Sequence, residues 1–298
     1  MLNQLFKEKT IPFLTISAIA ATGLSLPILS PAARSSPIVP EKEITSVKQN
    51  KAGSGVGEFK LVYSPNTQHR ALQKLFQTSG IFAKTVEDLN NQNLNLPVDI
   101  PIIFEDCGMA NAYYSPAERS VTMCYEMFDS IAAGLAELYP AEEVLINATF
   151  TQVFVLYHEV GHALTDILQL AVTGREEDAV DDFASILLLR NNNSTDDDIV
   201  LNASLYFSSR PDGPYWGEHS FGQQRFYNVI CLLYGRNPEQ YGDIPEKVGL
   251  SDRAPRCPSE YQQKLSSWER LLAPHSIHDA SSPSEVPGAS DEKPQPLF

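Results

Sequence analysis

The stretch VLYHEVGHALTD, residues 155–166, sets two histidines four apart with a glutamate directly after the first. On a helix, residues four apart share a face with Cβ atoms about 5–6 Å from each other. Imidazoles so placed at His158 and His162 converge on one ion at Zn–N distances of about 2.0–2.1 Å. Phe150, Val153, Phe154, Tyr157, Ala163, Leu164, Ile167 and Leu168 recur around them at helical spacing, so the motif belongs on a helix. Glu159 then stands where a general base reaches a water held by the metal. The bland alternative is a pair of satisfied core histidines beside an incidental glutamate. With only six histidines in the chain, the metal reading is the better account of all three positions together.

Two histidines do not complete a zinc site; a third protein ligand and an open position for water are expected. Asp166 lies on the same helix face, but at about 1.5 Å rise per residue it sits roughly 6 Å too far along the axis. The next acidic run, GREEDAVDDFASILLLR, offers Glu176, Glu177, Asp178, Asp181 and Asp182. Glu177 and Asp181 share a face, whereas Glu176 shares its face with Val180, Phe183 and Leu187, which reads as core. Glu177 is the expected ligand. Asp181, one turn on, is placed to accept the free N–H of a zinc-bound histidine. A solvated acidic helix start, favoured by the helix dipole, is the competing reading.

HEVGH at 158–162 with EDAVD at 177–181 is similar to the paired motifs of gluzincin metallopeptidases, the thermolysin-like clan. The resemblance implies zinc held by His158, His162 and Glu177, with Asp181 orienting His158. NAYY at 111–114 resembles the edge strand of those enzymes, which implies that Asn111 and Ala112 pair with substrate backbone. It also implies a distal histidine that stabilises the tetrahedral intermediate, for which His219 is the candidate. The competing reading leaves His219 as a cap of the following helix and Arg225 as an ordinary ion-pair partner. More closely, CGxxNAYY, CYE, HEVGH, GREEDAVDDFA, HSFGQQRFYNVICLLYG and the late Cys-Pro-Ser-Glu-Tyr together resemble the DUF4344 metallopeptidases, an exported bacterial family, over roughly residues 55–273. The chain is shorter than the thermolysin-like enzymes, and its gap from His162 to Glu177 is tighter.

The N-terminus fits export. Lys7 and Lys9 precede an apolar run from Ile11 to Leu29, and small residues follow at Ser30, Ala32 and Ala33. That order reads as a signal peptide over 1–33, the alternative being a retained membrane anchor. Residues 34–54 are polar and read as a linker. The net charge of −15 argues against nucleic acid and anionic lipid as partners. No membrane association is expected of the mature form unless the leader stays. Four cysteines in an exported chain imply two disulfides, and sequence order favours Cys107–Cys124 and Cys231–Cys257.

The remaining pattern is α+β: a small N-terminal β-sheet with an edge strand, then a mostly helical region. VGEFKLVY (56–63) and LPVDIPIIFED (97–106) read as strands, and NAYYS with RSVTMCY as a hairpin. Helices are expected at about 67–92, 125–139, 141–170, 196–209, 220–235 and 258–273, another starting at the acidic run, with Gly174 ending the long one. The domain spans 55–273, and the Ser- and Pro-rich tail 274–298 reads as disordered. His69, His275 and His278 receive no role. The functional expectation is an exported, periplasmic or secreted, zinc peptidase acting on peptide or protein substrates through Glu159. A non-catalytic exported zinc-binding module is the runner-up, and a metal-free helical binding domain ranks last.

Overall fold

A computed structural model describes residues 56–277 of the protein. The leader 1–33, the linker 34–54 and the tail beyond 277 lie outside the described residues. A four-stranded sheet occupies the N-terminal part: β1 (Phe59–Tyr63), β2 (Ile100–Glu105), β3 (Ala112–Ser115) and β4 (Ser120–Cys124), in the order β1-β2-β4-β3. β1–β2 and β2–β4 are parallel and β3–β4 is antiparallel. Parallel neighbours need a crossover. α1 (Arg70–Ser79) and α2 (Ile81–Asn90) supply the one between β1 and β2. After β2 the chain runs to the far edge, forms β3, and returns as β4 in the middle. β4 is buried at every residue, while β3 keeps one edge unpaired within the sheet.

Helices make up the rest: α3 (Tyr125–Leu135), α4 (Ala141–Ile167), α5 (Glu176–Leu189), α6 (Ser194–Ser209), α7 (Gly222–Arg236), the short α8 (Ile244–Val248) and α9 (Cys257–Leu272). α4 carries HEVGH. It packs against α3, α5, α6, β3 and β4, and most residues from Asn147 to Thr165 are buried. A helix surrounded in this way is buried on every side rather than along one stripe, its polar residues included. Phe76, Phe82, Phe104, Tyr125 and Phe128 form an aromatic cluster joining α1, α2 and α3 to the sheet. Among the described residues no helix is long and apolar enough to cross a membrane.

The α+β layout, the strands and the hairpin appear as expected, and so do both disulfides. Three local details differ. The helix expected over 67–92 is two helices, broken at Gly80, whose φ of 69° lies in the left-handed region. The long helix stops at Ile167, well before Gly174. Gln169 takes the left-handed conformation (φ 52°), Leu170 N–H donates to Thr165 O at 2.9 Å, and Gln169 N–H donates to Asp166 O at 3.2 Å. This is a Schellman stop, built on glutamine instead of glycine. The chain also stays ordered past 273: Ile277 N–H donates to Asn93 O at 2.8 Å, and Asn95 N–H to His275 O at 2.6 Å.

Gly161, in the middle of HEVGH, sets how closely α5 approaches α4. A Cβ there would stand 2.8 Å from Val180 Cβ and 3.1 Å from Phe183 Cδ1. Gly161→Ala should therefore push α5 outward and cost about 1–3 kcal/mol, the usual penalty of overpacking. Thermal unfolding measures the loss, and an unchanged melting temperature with unchanged metal affinity would refute this role.

Candidate metal centre and cleft

His158 and His162 project from α4 toward the first turns of α5, and each has one nitrogen already committed. His158 Nδ1–H donates to Asp181 Oδ1 at 2.8 Å, and His162 Nδ1 bonds Glu176 Oε1 at 2.7 Å. Both Nε2 atoms point inward at the same carboxylate oxygen, Glu177 Oε2, from 3.1 and 3.5 Å. Atoms about 2.0–2.2 Å from a tetrahedrally held zinc stand roughly 3.3–3.6 Å apart, so these separations fit a shared ion. The donor atoms of the three residues all lie within 4.8 Å of one another. Two imidazoles and a carboxylate, with each outer imidazole nitrogen tied to another carboxylate, match a zinc donor set and its supporting hydrogen bonds.

Electrostatics follow from this crowding. Burial opposes charge on His158, yet its bonds to Asp181 and Glu177 outweigh it and raise the imidazole to about 9. Burial likewise opposes charge on Glu177, but hydrogen bonds from His158, His162 and His219 hold its carboxyl far below the usual range. Burial pushes Glu159 the other way: its carboxyl rises above the ordinary value, the neighbouring histidines only partly offsetting that. Unlike Glu177 and Asp181, Glu159 is held toward its neutral form.

His219, on the loop between α6 and α7, comes to the same place. Its Nε2 lies 2.9 Å from Glu177 Oε2 and its ring stacks on His158 at 5.9 Å between centroids. It does not cap α7; there Gln224 Oε1 accepts from Phe221 N–H at 3.1 Å. Arg225 pairs bidentately with Asp181, through Nε to Oδ2 and Nη2 to Oδ1, both at 2.7 Å, and stacks on Phe207 at 3.7 Å.

The expected division of labour between Glu176 and Glu177 needs one correction. Only one of them was to face α4, with Glu176 in the core. Instead Glu176 is 48% exposed and also reaches α4, through His162. As the first residue of α5 it has no preceding turn beneath it, so its side chain swings off the helix end. Periodicity along α5 does not constrain it.

The cluster opens into a cleft of about 980 Å³. Glu159, Asn111, Ala112 and His219 line it, so every expected site residue apart from the cysteines and Asp181 meets there. Asp181 sits behind His158, buried. One wall is the open edge of β3. Tyr114, on that strand, donates its hydroxyl to Asp166 Oδ2 at 2.8 Å, tying the strand to α4. Glu176, Tyr114, Asp166 and Arg225 had no assigned place in the site. Each had a signal that stopped short of its role: Tyr114 stood in NAYY, Asp166 and Glu176 among the acids weighed as ligands, and Arg225 as a basic residue in the polar first turns of α7. A second group, His69 with Asp106 and Glu126, also brings donor atoms together. There Asp106 accepts from Thr67, from the Gln68 amide and from His69 Nδ1, and Glu126 accepts from the amides of Cys107 and Gly108. Hydrogen bonds already account for those carboxylates.

A family model described as "Putative metallopeptidase", DUF4344, matches residues 63–272, from the end of β1 to the end of α9. The chain belongs to that family. Among curated proteins and among solved structures no match was found.

Two outcomes follow from the geometry. Glu177→Ala should abolish metal binding, while Glu176→Ala should weaken it only modestly. Asp181→Asn should lower affinity roughly 10–100-fold, as expected of a group that holds a ligand in place. Asparagine is the more informative replacement, since it keeps the side chain's shape and one acceptor oxygen where alanine removes every bond, although both leave the Arg225 guanidinium without its counter-charge. Metal analysis and competitive chelation measure the ranking, and a dispensable Glu177 would overturn the ligand set. Second, a metal needs neutral His158 Nε2, whereas the metal-free imidazole keeps its proton up to about pH 9. Apparent metal affinity should rise with pH from 6 to 9, with proton release visible by calorimetry in buffers of different ionisation enthalpy. A flat profile would contradict this.

Proposed function

We propose that the protein is an exported zinc-dependent peptidase of the gluzincin type. The observation that carries this is the convergence of His158 Nε2, His162 Nε2 and Glu177 Oε2 beside buried Glu159, in a cleft walled by an open strand edge. When bound, zinc polarises the scissile carbonyl and makes water a nucleophile near neutral pH. The protein's own groups supply the rest. A peptide adds as a strand along Asn111 and Ala112, its main chain pairing with the free edge of β3. Glu159 takes a proton from the attacking water and later gives it to the leaving amine nitrogen. A carboxyl lifted by burial is suited to both halves of that transfer. His219, whose Nε2 rests on Glu177 Oε2 here, would turn that N–H to the oxygen on which negative charge develops once Glu177 is engaged by the metal. Asp181 fixes the ring of His158, and Arg225 holds Asp181 charged.

Export through the 1–33 leader completes the proposal. Two disulfides support an oxidising destination, periplasmic or extracellular. The non-catalytic zinc module accounts less well for the site, because a structural site has no use for a buried carboxylate beside its ligand.

Glu159→Gln should retain one zinc per chain and the wild-type melting temperature while losing about 10²–10⁴-fold in turnover of casein or a peptide library. Equal turnover by the two proteins would remove Glu159 from the mechanism.

A further inference from the structure

The loop from α6 to α7 holds a feature that catalysis leaves unused. Gly217 N–H donates to Pro214 O at 2.8 Å, so 214–217 is a hydrogen-bonded turn with Tyr215 and Trp216 at its centre. Gly, Asn, Asp, Pro and Ser dominate such turns. Here Tyr215 and Trp216 are 86% and 85% exposed, the most exposed large apolar side chains among the described residues. Aromatic side chains bury about 150–250 Å² each when covered, so two of them in solvent forgo substantial stabilisation.

The turn is nevertheless held in place. Arg175 Nη1 donates to Gly217 O at 3.4 Å, and Arg175 precedes α5 directly, two residues before Glu177. On the other side His219 bonds Glu177 itself. Tyr215 meets the ring of Phe221 at 5.5 Å between centroids. The turn that carries the aromatic pair is thus tied to the metal centre. Pro214 and Gly217, which bracket it, line the cleft, whereas the two aromatic rings stand outside on the rim. A polypeptide leaving the cleft over this wall crosses them.

We propose that Tyr215 and Trp216 form an exosite that grips the part of a polypeptide substrate running out of the cleft, so that extended protein chains are favoured over short peptides. The proposal rests on the peptidase reading. Rigid aromatic side chains serve as anchors at contact surfaces because they offer large area at low entropic cost. Acids and bases both flank the pair, Asp212 and Glu218 in the loop and Arg175 on the turn itself, so the rings select apolar side chains of the substrate and not its charge.

The test compares wild type with the Y215A/W216A double variant on unfolded casein and on a short peptide that fills only the cleft. KM for casein should rise about tenfold with kcat unchanged, and short-peptide kinetics should not move. Equal losses on both substrates, or no loss on either, would overturn the exosite. A binding arm works without turnover. The chain has two tryptophans, and Trp268 is buried, so acrylamide quenching reports Trp216. An unfolded, tryptophan-free polypeptide (reduced, carboxamidomethylated ribonuclease A) added to the full-length E159Q protein should protect Trp216 from the quencher, and unprotected fluorescence at saturating concentrations of it would sink the proposal. If wild type cleaves neither substrate the peptidase reading fails, and the quenching result still decides whether the rim binds polypeptide.

Discussion

Asp181 is the hinge of the structure's chemistry. It is buried, and it accepts from His158 on one helix and from Arg225 on another while standing on a third. Each partner needs it. Without Asp181 the Arg225 guanidinium would be a stranded interior charge, a defect worth about 3–5 kcal/mol in comparable pairs. Without it His158 would also lose the bond that turns its free nitrogen toward Glu177. Burial alone would neutralise Asp181, yet the arginine beside it holds its carboxyl well below the ordinary range. The close approach of α5 to α4 at Gly161 puts the carboxylate within reach, so backbone packing and metal-site geometry are one constraint.

That constraint explains why part of the site was legible in the sequence. HEVGH and the acidic start of α5 are short, helical and chemically restrictive, so spacing alone put His158, Glu159, His162 and Glu177 on facing surfaces. The disulfides were legible for a related reason: both close short loops between neighbouring elements. The α+β division followed from period-two strands early in the chain and helical periodicity after them.

What stayed hidden depends on contacts between distant residues or on unusual backbone conformations. An ion pair for Arg225 was open to the sequence but its partner was not: Asp181 stands on α5 and Arg225 on α7, 44 residues further on. Tyr114 and Asp166 meet only because β3 lies along α4. Glu176 escaped its helical face because it begins its helix. Gly80 and Gln169 changed helix boundaries through left-handed backbone: Gly80 interrupted a pattern that otherwise read as one helix, and glutamine is an uncommon residue for a helix stop.

The open edge of β3 carries a further consequence. An unpaired strand edge does not distinguish a meal from a sibling: any extended segment can pair with it, including the same strand of another copy. Here the hazard is contained by brevity and placement. β3 is four residues long, Pro116 follows it at once, and the edge lies inside a cleft instead of on the outer surface. Pairing is thereby limited to single, narrow, unfolded visitors, and folded neighbours are kept from stacking into fibres. The recess proposed to admit a peptide also shields this edge from the matching edge of a second copy.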